Sequence, residues 1–244
     1  MIFSAILIHI IKNPKKVFFI PIELFVYFKD YFEFLNKRTS KEKIHIRPIL
    51  FQKNVDSKFD AHYVIQSWWA SLHINKSKIN LHHDISSNIA FVTQLSSTIK
   101  VNFYEYNLPL LKIPNLNVKK GSLEKLPFKD KSIESLSCLH VLEHIGLGRY
   151  GDKIDPEGLK KSCYELARVL KKNGTLYVSF PIGKERTEFN AQRVIDPIKV
   201  IDYFLDLRLK KFSMIDDHKK FVDKAKLSLA KQQHYACGLY IFTR

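Results

Sequence analysis

The chain opens on an apolar stretch that is soon interrupted. Met1–Ile11 is almost wholly apolar, Lys12, Pro14, Lys15 and Lys16 break the run, and Val17–Phe28 is apolar again. Neither run reaches the roughly 20 residues needed to span a bilayer. The positive charge follows the first run, whereas a signal peptide carries it in front. From Leu24 the apolar positions fall at 24, 25, 28, 31, 32 and 35, and this spacing predicts a helix over 22–36. Two readings stay open: a helix packed on the domain or in a homo-oligomer, and an interfacial helix through which residues 1–36 touch a membrane. Residues 37–60 are polar and charged and read as a linker. The expected division is therefore an N-terminal extension, 1–60, and a domain, 61–244.

Beyond the linker the period of the pattern changes repeatedly. Tyr63–His73, with Trp68 and Trp69, looks helical. Strands are expected at Ile79–Ile85, Val101–Tyr106, about 115–118, Ile133–Leu139, Thr175–Phe180, about 209–215 and 237–243. Helices are expected at about 89–96 and 157–170, and another starts at Asp196-Pro197. In the helix at 157–170, Asp155 is placed to cap, Pro156 lies at the first turn and Gly174 ends the segment. Alternating strands and helices imply an α/β fold with a mostly parallel sheet wrapped by helices.

Composition narrows this picture a little. The formal net charge of +16 favours anionic partners, but no arginine-rich arm or nucleic-acid signature accompanies the lysines, so no nucleic acid is expected. Cys138, Cys163 and Cys237 are odd in number and far apart, and no CxxC pair exists. Neither a disulfide framework nor a thiolate metal site is indicated, and a reducing, cytoplasmic setting fits best.

Ligands of an open parallel sheet bind at the carboxyl ends of its strands. Asp84 ends the first expected strand and Glu105 the second. Gly121 and Ser122 follow the third, and Cys138–His144 ends the fourth. His140-Val141-Leu142-Glu143-His144 also matches the H-x-x-E-H pattern of zinc peptidases. That motif needs a continuous helix, whereas His140 here follows directly on a strand and Gly146 and Gly148 come soon after. No metal is expected on this reading.

Leu126-Pro127-Phe128, Ile133 to Leu139, Val141-Leu142-Glu143-His144 and the capped helix ending in Leu170-Lys171-Lys172-Asn173-Gly174 together resemble a class I methyltransferase of small molecules. The run from His140 to Asp152, with Asp155-Pro156 and Phe189-Asn190-Ala191-Gln192-Arg193, resembles a bacterial family called domain of unknown function 268, associated with surface-polysaccharide genes. The resemblance covers about 79–244 and implies a Rossmann-like fold that uses S-adenosylmethionine and whose last strand, 237–243, is antiparallel. It implies that Glu105 binds the ribose hydroxyls, Asp84 orients the methionine end, Ser86 lines the cofactor loop, and Ser122 lies near the adenine with His140 beside the cleft. His144 is the candidate general base and His140 the second. Glu143, Arg149, Tyr150, Asp152, Asn190 and Arg193 are the candidate contacts to a small-molecule or glycan acceptor.

One departure matters. The loop after the first strand reads Asp84-Ile85-Ser86-Ser87-Asn88, without the glycine usual at position 86. Either the loop keeps its path with the Ser86 hydroxyl turned aside and Asn88 supplying a positive φ, or these side chains fill the cofactor space. The functions to separate are an O-methyltransferase acting on a sugar or glycan precursor, an inactive relative that serves as a binding partner, and a zinc hydrolase.

Overall fold

The computed structural model describes residues 14–39, 43–51 and 59–244, and divides them between two compact units, Met1–Phe59 and Asp60–Arg244. The apolar run Met1–Ile11 lies outside the described residues, as do 40–42 and 52–58 of the expected linker.

In the first unit, a 3₁₀ turn at Pro14–Phe19 leads into α1, Ile20–Lys37, with proline in its first turn. Pro21 has no N–H to lose there, and Arg38 leaves the helix in an extended conformation while its N–H bonds Phe34 O. None of the helix residues is buried; Ile22, Phe25, Phe28 and Phe32 are exposed. The extended segment that follows folds back locally: Phe51 N–H donates to Glu23 Oε2 (2.7 Å) and Arg47 N–H to Tyr27 Oη (3.2 Å). Among the described residues no helix is long and apolar enough to cross a membrane.

The second unit is built on an eight-stranded sheet. Its helices and strands run α2 (Ala61–Lys76), β1 (Leu81–Ile85), α3 (Ile89–Leu95), β2 (Lys100–Glu105), β3 (Leu116–Lys120), β4 (Ile133–Leu139), α4 (Gly158–Val169), β5 (Leu170–Ile182), β6 (Arg186–Glu188), β7 (Gln192–Val194), α5 (Pro197–Asp202), β8 (Arg208–Ile215), β9 (Phe221–Val222), α6 (Leu227–Lys231) and β10 (Ala236–Thr243). The order across the sheet is β3-β2-β1-β4-β5-β10-β8-β9. The strands from β3 to β5 are parallel, and β10 enters antiparallel between β5 and β8. The order in which strands are added reverses between β1 and β4, and such a switch point is where open parallel sheets bind ligands, in a crevice at the carboxyl ends of the strands.

Alternation along the strands assigns each side chain to a layer. Trp69, Ile74, Phe91 and Leu95 of α2 and α3 pack with Phe103, Leu139 and Tyr177 on one face. Leu159, Cys163 and Leu166 of α4 pack with Leu136, Cys138, Leu176 and Val178 on the other. Burying apolar area on both faces is what makes these strands read as near-continuous hydrophobic runs.

Two local expectations need correction. Asp155 does not occupy the cap of α4, which falls to Glu157; Asp155 Oδ1 instead accepts the Glu157 N–H at 3.0 Å, one turn earlier. Gly174 does not end that helix. The helix stops at Val169 and passes straight into β5, where a Cβ on Gly174 would lie 2.9 Å from Ile133 O. The expected start at Asp196-Pro197 holds, with the Asp196 side chain accepting the Ile198 N–H.

Candidate functional site

Asp84 ends β1 fully buried between β2 and β4. A carboxylate without water must take its hydrogen bonds from protein. Ser137 Oγ–H donates to Asp84 Oδ2, and Ser87 N–H donates to Oδ1 at 3.0 Å. Behind Ser137, His82 bridges Ser137 and Ser135 through its two ring nitrogens, each at 2.8 Å. Burial pushes the Asp84 carboxyl up to about 7, against the pull of the Ser137 and Ser87 bonds. Asp84 thus faces inward, onto the turn it holds, instead of into the crevice.

That turn follows the path usually given to glycine. Ser86 has φ +54°, its N–H bonds Tyr104 O at 2.9 Å, and its hydroxyl lies 3.3 Å from the same carbonyl, turned onto β2. Ser87 Oγ accepts the Leu139 N–H at 2.9 Å and so pins the turn to the end of β4. Asn88 does not supply the positive φ; at φ −56° it caps α3, accepting the Ala90 N–H.

Glu105 ends β2 half-buried, with Oε1 accepting the next residue's N–H at 2.7 Å. No further partner of its carboxylate occurs among the described residues. Gly121 follows β3 beneath Tyr104, whose Cβ lies 2.9 Å from where a Gly121 Cβ would stand. Ser122 is half-buried and accepts the Glu124 N–H at 3.2 Å, which forms its own small turn.

At the end of β4 the chain turns sharply. His140 takes a left-handed conformation (φ +54°), and Leu142–His144 form a single 3₁₀ turn. His140 and His144 therefore do not share the face of one helix, and the zinc-peptidase geometry is not formed. Ser179 Oγ–H donates to Gln66 Oε1 at 2.6 Å, so the Ser179 oxygen is left to accept from His140 Nδ1–H at 3.2 Å. Nε2 of His140 is then the lone-pair nitrogen, 3.4 Å from His62 Nδ1. Burial, with His62 and His144 nearby, lowers His140 to about 3, which makes it a poor base.

Glu143 is buried with its Oε1 3.8 Å from both His140 Nδ1 and His144 Nε2, and its Oε2 has no hydrogen-bond partner. Burial raises its carboxyl to about 8. His144 Nδ1–H donates to Ala191 O at 2.7 Å, which leaves Nε2 as the acceptor nitrogen. Burial lowers the pKa of His144 while the Ala191 bond raises it, so the imidazole is neutral near pH 7.

The loop after this turn mostly bonds to itself. Asp152 Oδ2 accepts Gly146 N–H (2.7 Å) and Gly148 N–H (3.4 Å), and Oδ1 accepts Tyr150 N–H (3.3 Å). Gly146, at φ +76°, has no room for a Cβ, which would meet Asp155 O at 2.0 Å. Arg193 on β7 donates to Ile145 O at 2.7 Å and buttresses the turn. Arg149 donates to Ala191 O at 2.9 Å and lies over the Tyr150 ring, which is exposed. Asn190 is exposed at the tip of the β6–β7 hairpin in a left-handed conformation. Of the expected acceptor contacts, Asp152 and Arg193 are thus turned to internal partners and Glu143 is buried with one oxygen unpartnered, while Tyr150 and Asn190 face outward.

The structure also gathers residues that sequence spacing did not connect. His62 Nδ1, His140 Nε2 and Cys237 Sγ lie within 4.8 Å of one another. Tyr235 stacks on His62 (ring centroids 5.3 Å), and the Tyr63 ring lies edge-on to His140. The only signal in the sequence was that the Tyr63–His73 helix accompanies the domain; nothing in it places β10 beside that helix.

Comparison with known proteins adds three findings. A family described as "Caenorhabditis protein of unknown function, DUF268" matches residues 86–236, more than half of the chain. That description does not support a bacterial attribution. No curated protein matches the chain. Among solved structures, Burkholderia thailandensis 1,6-didemethyltoxoflavin-N1-methyltransferase, solved with S-adenosylhomocysteine, is 11% identical over 73% of this chain and 79% of its own, with a TM-score of 0.51. A Galdieria sulphuraria protein assigned as a sarcosine dimethylglycine methyltransferase is 12% identical over 74% and 85% (TM-score 0.51). The [4+2]-cyclase SpnF is 8% identical over 73% and 81% (TM-score 0.50). At these identities the likeness is one of fold, and the folds are Rossmann-like.

Proposed function

The chain belongs to the DUF268 family, and on that premise we propose that it is an S-adenosylmethionine-dependent methyltransferase. The observation that carries the proposal is the turn after β1. Ser86 holds a left-handed φ of +54°, the region glycine favours, with its hydroxyl folded onto Tyr104 O and away from the loop, and this supports a reading in which the cofactor space stays open. Support comes also from the Burkholderia enzyme, which carries S-adenosylhomocysteine on the same fold. SpnF is a reminder that the fold alone does not fix the reaction.

On this reading Glu105 accepts the two ribose hydroxyls, and Asp84 acts as a positioning residue that holds the 84–88 turn through Ser87 and Ser137. Ser122 and His140 border the same crevice. S-adenosylmethionine supplies a methyl group activated on a sulfonium. The protein's part is to hold donor and acceptor in line and to keep water out. His144 is the candidate base: its Nδ1 proton is committed to Ala191 O, so Nε2 is the atom that would receive the acceptor's proton. The acceptor we propose is a hydroxyl of a sugar or surface-glycan precursor, met by Arg149, Tyr150 and Asn190 around the mouth. An anionic precursor suits a chain of net charge +16. Peripheral membrane contact through residues 1–36 belongs to the same proposal, supported by the exposed Ile22, Phe25, Phe28 and Phe32.

The test is calorimetric titration of the full chain with S-adenosylhomocysteine, beside Ser86→Gly. Binding by the parent, little improved by glycine, is the expected result. Binding only in Ser86→Gly indicates a decayed site. Absence of binding in both forms overturns the methyltransferase reading and leaves the fold to a non-methylating role.

A further inference from the structure

We propose that His62, His140 and Cys237 bind one divalent transition-metal ion of the zinc class. The proposal stands whether or not the chain transfers methyl groups.

The three donors come from separate segments: His62 from the first turn of α2, His140 from the turn after β4, and Cys237 from the start of β10. Two imidazoles and a sulfur are a donor set for zinc, cobalt or copper, not for magnesium or calcium. The donor atoms lie within 4.8 Å of one another, and His62 Nδ1 and His140 Nε2 are 3.4 Å apart. Two nitrogens bound tetrahedrally at zinc distances stand about 3.3 Å apart. An N–H···N hydrogen bond prefers a shorter separation, near 3 Å. The pair is spaced as ligands are, and Cys237 Sγ stands within 4.8 Å of both nitrogens.

The surroundings hold these donors as outer-shell residues hold metal ligands. His140 donates Nδ1–H to Ser179, whose own proton goes to Gln66, and the lone pair of Nε2 is thereby directed at the cluster. Asp60 caps the helix by accepting the main-chain N–H of His62 at 3.0 Å, which fixes the helix start, while Tyr235 stacks on the His62 ring. His140 keeps a left-handed backbone that a non-glycine residue adopts only where the surroundings impose it. Glu143, in the same turn, carries a buried carboxylate oxygen without a partner, so this corner of the protein is not complete by itself.

Binding forms two nitrogen–metal bonds and one sulfur–metal bond, and the thiol proton of Cys237 leaves to solvent. Three protein ligands leave the fourth position of a tetrahedral ion for water or a substrate heteroatom, the pattern of a catalytic rather than a closed structural site.

The experiment uses the full chain, stripped with a chelator and titrated with Co²⁺ alone. The expected result is one Co²⁺ per chain, with a sulfur-to-cobalt charge-transfer absorption and the visible bands of a tetrahedral ion, both abolished by excess Zn²⁺. Cys237→Ser removes the charge-transfer band. His62→Ala weakens binding by more than the roughly 10–100-fold that outer-shell changes cost. His218→Ala, an exposed histidine outside the cluster, retains band and affinity. Should Cys237→Ser not fold, His62→Ala, at a half-buried helix start, carries the test alone. A parent without the band, a Co²⁺ affinity unchanged in His62→Ala, or a band lost in His218→Ala would falsify the site.

Discussion

Asp84 at the end of β1 and Glu143 after β4 are both buried carboxyls at the carboxyl ends of neighbouring central strands, yet their surroundings differ. Asp84 receives Ser137 and Ser87 and stands at the end of a relay through His82 to Ser135. Glu143 has two histidine nitrogens at 3.8 Å and one oxygen with no partner. The first arrangement is what stabilises a turn: every buried polar atom is answered and the geometry is unique. The second has a cost that folding alone does not offset, and such costs concentrate where a ligand or reaction supplies the missing partner. The β1 flank is therefore scaffold for the 84–88 turn, and the β4 flank, with His62, His140 and Cys237, is where buried polar groups are left unanswered.

The comparison breaks most easily on stability. Asp84→Ala strands the Ser137 hydroxyl and the Ser87 N–H in the interior, for a loss of about 3 kcal/mol by denaturant unfolding. Glu143→Gln replaces a carboxyl that burial keeps mostly protonated near pH 7, with an oxygen that has no partner, and is expected to change stability by less than about 1 kcal/mol, in either direction. Equal losses at the two positions would erase the distinction.

A second effect is pH dependence. Asp84 is raised to about 7 in the folded protein, so the native state holds this proton more tightly than the unfolded chain does. Its contribution is complete below the unfolded carboxylate range and is lost as pH rises through about 7. His82 and His140 are depressed to about 3, and their contribution grows with pH until about 6.5 and is then constant. Above that point only the buried carboxyls remain, Asp84 near 7 and Glu143 near 8. Stability should fall from pH 6.5 to 8.5, and Asp84→Asn should flatten the first part of the fall. Melting curves across that window decide it; an unchanged slope would remove Asp84 as its source.

Ligand affinity gives the third. Glu105→Ala should weaken S-adenosylhomocysteine about tenfold, the loss of a charge-assisted bond worth about 1.4 kcal/mol. Calorimetry that finds the affinity unchanged takes Glu105 out of the site. The smallest expected effect lies in the Ser86 backbone. A left-handed φ on a non-glycine residue costs roughly 1 kcal/mol, so Ser86→Gly should stabilise by up to about that amount. A destabilised variant would mean that the Ser86 hydroxyl on Tyr104 O matters more than the strain.

What could be read from residues alone was set by short-range physics. Alternation and apolar runs place β4 at Ile133–Leu139 and β2 within one residue, and the Asp196-Pro197 start is visible because a cap and a fixed proline φ are local requirements. The parallel sheet follows from the order of those elements, while the antiparallel last strand is an expectation of the family resemblance. The three-residue strands β6 and β7 left no mark, since Arg186–Glu188 and Gln192–Val194 are too short and polar to show a period. The passage of α4 straight into β5 was equally hidden, because sheet pairing overrode the glycine signal at Gly174.

Side-chain purpose was decided only by tertiary structure. The sequence marked Asp84, Glu143 and His144 as polar residues near strand ends, and Arg193 through the family resemblance. Which of them faces a crevice and which a main-chain carbonyl depends on elements far away along the chain. Arg193 spends its guanidinium on Ile145 O because the β6–β7 hairpin folds over the turn. Cys237 meets His62 and His140 because β10 inserts beside β5, under the start of α2. Local periodicity carries the fold because each element answers to its own neighbours; the site is a set of long-range meetings, and those exist only once the sheet is assembled.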